Sequence, residues 1–218
     1  MAPTLLLDLD GTLVDSAPDL RSATNRMIAA RGLPVFRLDE VIAMVGDGIE
    51  ALVTRALAAR GLPPDPVAVR EFSTDYGAHF ADETRIYPGV GPALQAMRAA
   101  GWRLGVCTNK PEAIARTLLR SLGLLELFAA VGGGDSFPAR KPDPAHMLAT
   151  LRAAGGDVAA AVACGDHRND VASARGAGIP CIFAQWGYGS PAMADGAAAL
   201  AARFQDVPGL AATLIAAR

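Results

Sequence analysis

Lysine is scarce in this chain. Of its 20 basic residues only Lys110 and Lys141 are not arginine. Arginine serves wherever a generic positive charge would do, so a retained lysine marks a place that calls for a compact ammonium and not a planar fork. Chance retention is the competing reading, and it weighs most for Lys110. Cysteine is sparse too: Cys107, Cys164 and Cys181 each lie in an apolar, strand-like run, without C-x-x-C spacing. The odd count argues against a disulfide framework or a zinc site, and implies buried, reduced thiols and a cytoplasmic setting. No apolar stretch is long and charge-free enough to span a bilayer. The opening MAPTLLLDLD has no cationic segment and no cleavage site, so it reads as a buried strand and not as a signal peptide. No basic run or basic face occurs and the net charge is −2, which makes nucleic acid and anionic membranes poor partners. Internal repeats and low-complexity linkers are also missing.

What is present is 218 residues, 51% of them apolar, enough for one sizeable core and a smaller accessory unit. Five short apolar runs, 4–9, 103–107, 128–132, 160–164 and 180–184, read as buried strands of a parallel sheet. Helical patterns over 90–100, 111–122 and 143–154 stop at Gly101, Gly123 and Gly155, as helices do where a left-handed residue is needed. Alternating strands and helices imply a doubly wound, Rossmann-like α/β fold with its working loops at the carboxyl ends of the strands. The gap between the first two strands breaks this rhythm. Residues 16–82 carry only helical patterns, the first opened by Ser16 and Asp19 in the spacing of a capping box. The expected organisation is a catalytic core of 1–15 and 83–218 with an all-helical cap of 16–82 inserted, hinged near 11–15 and 83–88.

Four motifs each follow a different expected strand. Leu7-Asp8-Leu9-Asp10-Gly11-Thr12 places two carboxylates two residues apart, on one side of an extended chain, with Gly11 to allow a sharp turn. Two such carboxylates need either a shared proton or a cation, and either suits acid–base chemistry beside a nucleophile. Thr108-Asn109-Lys110-Pro111 offers a hydroxyl and an amide as phosphate donors at a helix start, or simply an N-cap. Arg140-Lys141-Pro142-Asp143 puts Lys141 where it can offset the Asp8 charge and bind phosphate, or else leaves it solvated at a proline-shaped helix entry. Asp166-His167-Arg168-Asn169-Asp170 is a second aspartate pair, fit for a hard cation that takes oxygen ligands, or for capping by Asp170. Two glycines in Val45-Gly46-Asp47-Gly48 fit close approach to a small ligand, or a tight turn between helices.

The four motifs, in this order, resemble the haloacid dehalogenase-like hydrolases over essentially the whole chain, and within them the bacterial phosphoglycolate phosphatases. DLDGTLVDSAPDL, VGDG, YPGV, TNKP, RKPDP and GD-x-RND carry the likeness. The resemblance implies a phosphatase acting on a small phosphorylated metabolite such as 2-phosphoglycolate. Asp8 would be the nucleophile that becomes an aspartyl phosphate, and Asp10 the acid and then the base. Gly11, Thr108, Asn109 and Lys141 would hold the substrate's phosphoryl group. Mg2+ would be held by Asp8, the main-chain carbonyl of Asp10, and Asp166, with Asp170 helping through water or from beyond the direct ligands. The assembly would be a monomer or a homodimer. One position departs from the pattern: His167 stands where Ser is expected. A phosphosugar phosphatase or mutase shares the scaffold. A dehalogenase would not need Asp10, and a phosphonate hydrolase needs a cap lysine that 16–82 lacks. A receiver-like phosphate-binding module is shorter, has no cap, and lacks an aspartate two residues after the acceptor.

Overall fold

The structure is a computed structural model that describes residues 2–218. Its strands are β1 (Thr4–Leu7), β2 (Val14–Asp15), β3 (Arg85–Ile86), β4 (Arg103–Cys107), β5 (Ala130–Gly132), β6 (Ala161–Gly165), β7 (Cys181–Ala184) and β8 (Ala199–Ala201). The α-helices are α1 (Ala17–Ala29), α2 (Leu38–Ile42), α3 (Ile49–Ala58), α4 (Pro66–His79), α5 (Val90–Ala99), α6 (Glu112–Ser121), α7 (Pro144–Ala153), α8 (Arg168–Gly176) and α9 (Val207–Ala216). Six strands form one parallel sheet in the order β5-β4-β1-β6-β7-β8. Strand β1 is central, and Thr4-Leu5-Leu6-Leu7 is buried along its whole length. Leu5 and Leu7 pack into one apolar cluster and Leu6 into another, which is the alternation a strand covered on both faces requires. The chain builds outward from β1 through β4 and β5, then returns to β6 on the other side. The reversal leaves a crevice beyond the carboxyl ends of β1, β4 and β6, where such sheets bind ligands.

Two expectations about the sheet change. The first strand ends at Leu7, not at residue 9, because the Leu9 carbonyl accepts from the N–H groups of Thr12, Leu13 and Val14 and curls the chain out of the ladder. Strand β8 was not legible: Ala199-Leu200-Ala201 is short, Ala-rich and lies at the sheet edge, with Leu200 exposed.

Between β2 and β3, α1 to α4 gather around an apolar cluster of their own that includes Leu20, Met27, Phe36, Val53, Phe72 and Tyr76. Strands β2 and β3 pair antiparallel, Val14 against Ile86, so the segments entering and leaving the helical unit are bonded to each other. The expected capping box at the start of α1 does not form. Ser16 makes no side-chain cap bond; its hydroxyl donates to Asp10 Oδ1 at 2.5 Å. Asp19 turns away to the exit segment, accepting from the N–H groups of Glu83 (2.9 Å) and Thr84 (2.8 Å) and from the Thr84 hydroxyl (2.7 Å). Partners outside the helix displace the local cap, and Asp19 becomes a buried tie across the neck of the unit. No helix among the described residues is long and apolar enough to cross a membrane.

Candidate active site

The four motifs meet in the crevice. Asp8 follows β1, Thr108 and Asn109 follow β4, Lys141 precedes α7, and Asp166 follows β6. Carboxylate oxygens of Asp8, Asp166 and Asp170 all lie within 4.8 Å of one another. The Lys141 ammonium sits 2.9 Å from Asp8 Oδ1 and 2.6 Å from Asp170 Oδ1, with its side chain 2% exposed. This is an ammonium held between two carboxylates, not a solvated loop lysine. Asp170 also accepts from the His167 N–H at 3.0 Å, completing a capping box at the start of α8. Its carboxylate thus serves the cap and the Lys141 pair together.

Asp166 is fixed on both oxygens. Thr12 Oγ1 donates to Oδ1 at 2.9 Å and the Tyr188 N–H to Oδ2 at 2.8 Å. Gly11 lies against it at φ +80°, and a β-carbon there would fall 2.3 Å from Asp166 Oδ2. Gly11 is thus required both for its left-handed turn and for the approach of this carboxylate. Burial pushes the Asp166 carboxyl up to about 8, aided by the charges of Asp8 and Asp170. Burial also raises Asp8; Lys141 pulls it back and Asp170 adds to the rise, leaving it at about 6. Three buried carboxylates against one ammonium are short of positive charge. An all-oxygen set with such a deficit fits a hard divalent cation of the magnesium kind.

Asp10 faces the other lysine. Lys110 Nζ lies 2.9 and 3.0 Å from the two Asp10 oxygens and 2.7 Å from the Tyr76 hydroxyl. Burial alone would lower this ammonium; Asp10 and Tyr76 override it and hold it charged. Chance retention of Lys110 is therefore set aside: both lysines of the chain pair with aspartates of the first motif. Thr108 Oγ1 accepts from the Lys110 N–H at 3.2 Å. The Asn109 amide spends its two donors on the carbonyls of Gly46 and Lys141, each at 3.0 Å, so it ties the loop after β4 to the helical unit instead of pointing free N–H groups into the crevice.

The Val45–Gly48 loop does come down on the site. The Gly46 carbonyl also accepts from Asn169 Nδ2, and Asp47 Oδ1 takes the other bond of that amide at 2.6 Å. Gly46 (φ +121°) packs on the His167 ring, and a β-carbon there would fall 2.8 Å from it. His167 caps α8 through Nδ1 and lines the cavity. His79 pairs with Asp82 at 2.9 Å in the helical unit. His146 is buried and lies outside the cavity lining.

The cavity measures about 50 Å³, several-fold the roughly 10–15 Å³ one water needs. Asp8, Asp10, Thr108, Lys110 and Asp166 form its polar floor; Leu20, Val45, Ile49, Leu52 and Tyr76 form an apolar roof. Sequence reasoning missed Thr12, Ser16, Tyr76 and Tyr188. Thr12 lies inside a motif and could have been found there. Tyr76 sits at an apolar position of a helix, where its pattern says only core.

A model of the family described as haloacid dehalogenase-like hydrolase matches residues 2–178. A phosphoglycolate phosphatase of Caulobacter vibrioides is 43% identical over 217 residues, 97% of this chain and 92% of that protein. A solved structure described as a predicted phosphoglycolate phosphatase from Haemophilus somnus superposes with a TM-score of 0.89 at 29% identity, covering 96% of this chain and 97% of the other. A CbbY variant of Rhodobacter sphaeroides, solved in complex with xylulose-(1,5)bisphosphate, gives a TM-score of 0.79 at 26% identity, covering 94% and 96%.

Proposed function

The chain belongs to the haloacid dehalogenase-like hydrolase family, and from that premise we propose that it hydrolyses a small phosphate monoester, 2-phosphoglycolate foremost, through a phosphoryl ester on Asp8. The observation that carries this reading is the convergence on one small cavity of Asp8, Asp10 and Asp166, with the Lys141 ammonium 2.9 Å from Asp8 just outside the lining. The relatives named phosphoglycolate phosphatase support the substrate.

In the first step an Asp8 oxygen bonds to phosphorus while the bond from phosphorus to the ester oxygen breaks. Asp10 gives its proton to that oxygen, and the alcohol leaves. In the second, Asp10 takes a proton from water, the water oxygen bonds to phosphorus, and the bond to Asp8 breaks, releasing inorganic phosphate and restoring the Asp8 carboxylate and the Asp10 acid. Lys141 offsets the repulsion between an anionic nucleophile and an anionic phosphoryl group. Asp8, Asp166 and the Asp10 carbonyl would hold Mg2+, with Asp170 behind them; the ion supplies further positive charge at the phosphoryl oxygens. Thr108 offers its hydroxyl to the phosphoryl group, and Asn109 holds the loop that presents it. Residues 16–82 act as a cap on the core of 1–15 and 83–218. The paired strands β2 and β3 form its neck, and its closure excludes bulk water.

A panel of phosphorylated metabolites ranked by kcat/KM tests the substrate, with Asp8→Asn as the control for the site. That variant is expected to lose at least about 10³-fold in kcat, the scale on which a nucleophile matters. Retained turnover would remove Asp8 from its role, and a ranking headed by a sugar phosphate would move the substrate toward the kind of compound bound in the CbbY variant.

A further inference from the structure

We propose that Lys110 and the Tyr76 hydroxyl together read a carboxylate on the substrate's alcohol part, restricting the enzyme to phosphate esters of small hydroxy acids. The proposal rests on the phosphatase reading of the site and names the groups that would set its specificity.

The cavity lining is short of positive charge. Asp8, Asp10 and Asp166 line it, yet among the described residues Lys110 is its only lysine and no arginine lines it. Lys141 lies beneath Asp8 and does not line it. A ligand with a second negative charge beyond its phosphoryl group has one ammonium to meet.

All three Lys110 donors are engaged, and one of those bonds is redundant. An ammonium has three N–H donors, and two of them here go to the two oxygens of Asp10. Asp10 Oδ1 already accepts the Ser16 hydroxyl at 2.5 Å, so the Lys110 bond to that oxygen is the redundant one. Turning it to a ligand leaves Asp10 bonded on both oxygens. Tyr76 supplies the second donor. Its hydroxyl accepts from Lys110 at 2.7 Å, and that is the one hydrogen bond it makes among the described residues. A phenol also has a proton to give. The hydroxyl is therefore used as an acceptor only, on a side chain that lines the cavity. An ammonium and a phenol proton, 2.7 Å apart at their heavy atoms, can each serve one oxygen of a carboxylate.

The placement relative to the reacting bond sets the length of the ligand. Asp10 is proposed to protonate the ester oxygen, so that oxygen and Lys110 Nζ each lie one hydrogen bond from the same carboxylate. They are then at most about 6 Å apart, two such bonds end to end. A carboxylate one carbon from the ester oxygen spans that distance, and a longer chain meets the apolar roof of Leu20, Val45, Ile49 and Leu52. Tyr76 also comes from α4, in the helical unit, while Asp10 and Lys110 come from the loops that follow β1 and β4. The pair is complete only when the helical unit lies over the crevice, so carboxylate recognition and closure are the same event.

The test compares 2-phosphoglycolate with ethyl phosphate, which has the same two-carbon chain and no carboxylate, as a ratio of kcat/KM. A ratio of about 10² or more in the unaltered protein is expected, the discrimination of a buried site built to bond a group that one ligand lacks. Lys110→Met should collapse that ratio toward one, and Tyr76→Phe, which keeps the ring in its packing, should lower it about tenfold. Equal losses on both esters would mean that Lys110 only holds Asp10, and would overturn the proposal. So would a ratio near one in the unaltered protein, whatever the folding of Lys110→Met. Hydrolysis of neither ester, nor of an aryl phosphate, by the unaltered protein would instead refute the phosphatase reading beneath it.

Discussion

Lys141→Met keeps the length of the side chain and removes its charge. In the native protein that charge lies 2.9 Å from Asp8 and 2.6 Å from Asp170, with 2% of the lysine side chain exposed. The variant leaves two buried carboxylates facing each other without the cation between them. Breaking a buried pair by removing one partner costs about 3–5 kcal/mol, because the remaining charge stays desolvated. Against a total stability of roughly 5–15 kcal/mol this is a large fraction. With a urea slope of about 2–3 kcal/mol per molar, the midpoint should fall by about 1–2 M. The assay is urea unfolding at pH 7 in EDTA, followed by the fluorescence of Trp102 and Trp186, so that no divalent ion substitutes for the lysine. Asp8→Asn on the same background removes one of the two orphaned charges and should recover more than about 1 kcal/mol, as contacting residues do in such cycles. A midpoint within about 0.3 M of the unaltered protein would refute the electrostatic account, for it lies far below the shift expected from orphaning a buried charge. Absence of recovery by Asp8→Asn would refute the pairing.

Metal removal should depend on pH. Burial holds the Asp166 carboxyl at about 8 in the fold, against about 3.9 in an open chain. The stability this contributes is therefore complete below about pH 4 and is lost as pH rises through about 8. Thermal midpoints in EDTA should fall from pH 5 to pH 8, and saturating Mg2+ should flatten that slope; parallel slopes with and without the ion would count against a cation at this cluster. Gly46→Ala places a β-carbon 2.8 Å from the His167 ring at a φ of +121°, and should raise KM about tenfold by lifting the Val45–Gly48 loop. Adding His167→Ala should recover part of that rise; KM values unchanged in both variants would show that the loop does not close on the substrate.

Strand and helix positions were legible because they depend on local periodicity. The apolar runs that became β1, β4, β5, β6 and β7, and the glycines that stop α5, α6 and α7, act within a few residues of themselves. The failures have a common cause. Ser16 and Asp19 have the spacing of a cap, yet one bonds Asp10 and the other bonds Glu83 and Thr84, since a partner outside the helix took each side chain. Strand β8 exists because β7 offers it an open edge, not because Ala199-Leu200-Ala201 prefers to be extended.

The amino-acid sequence by itself determined the order of the elements, the insertion of helices after the first strand, and the placement of each motif at the end of a strand. It also marked two lysines as exceptional and offered Asp8 as a partner for Lys141, but named none for Lys110. Only the tertiary structure decided that Lys141 lies between Asp8 and Asp170, and that Lys110 lies between Asp10 and a tyrosine of the helical unit. The physical reason is range. A backbone pattern is set by neighbours three or four residues away, whereas Lys110 and Asp10 are 100 residues apart and are joined by the register of β1 against β4.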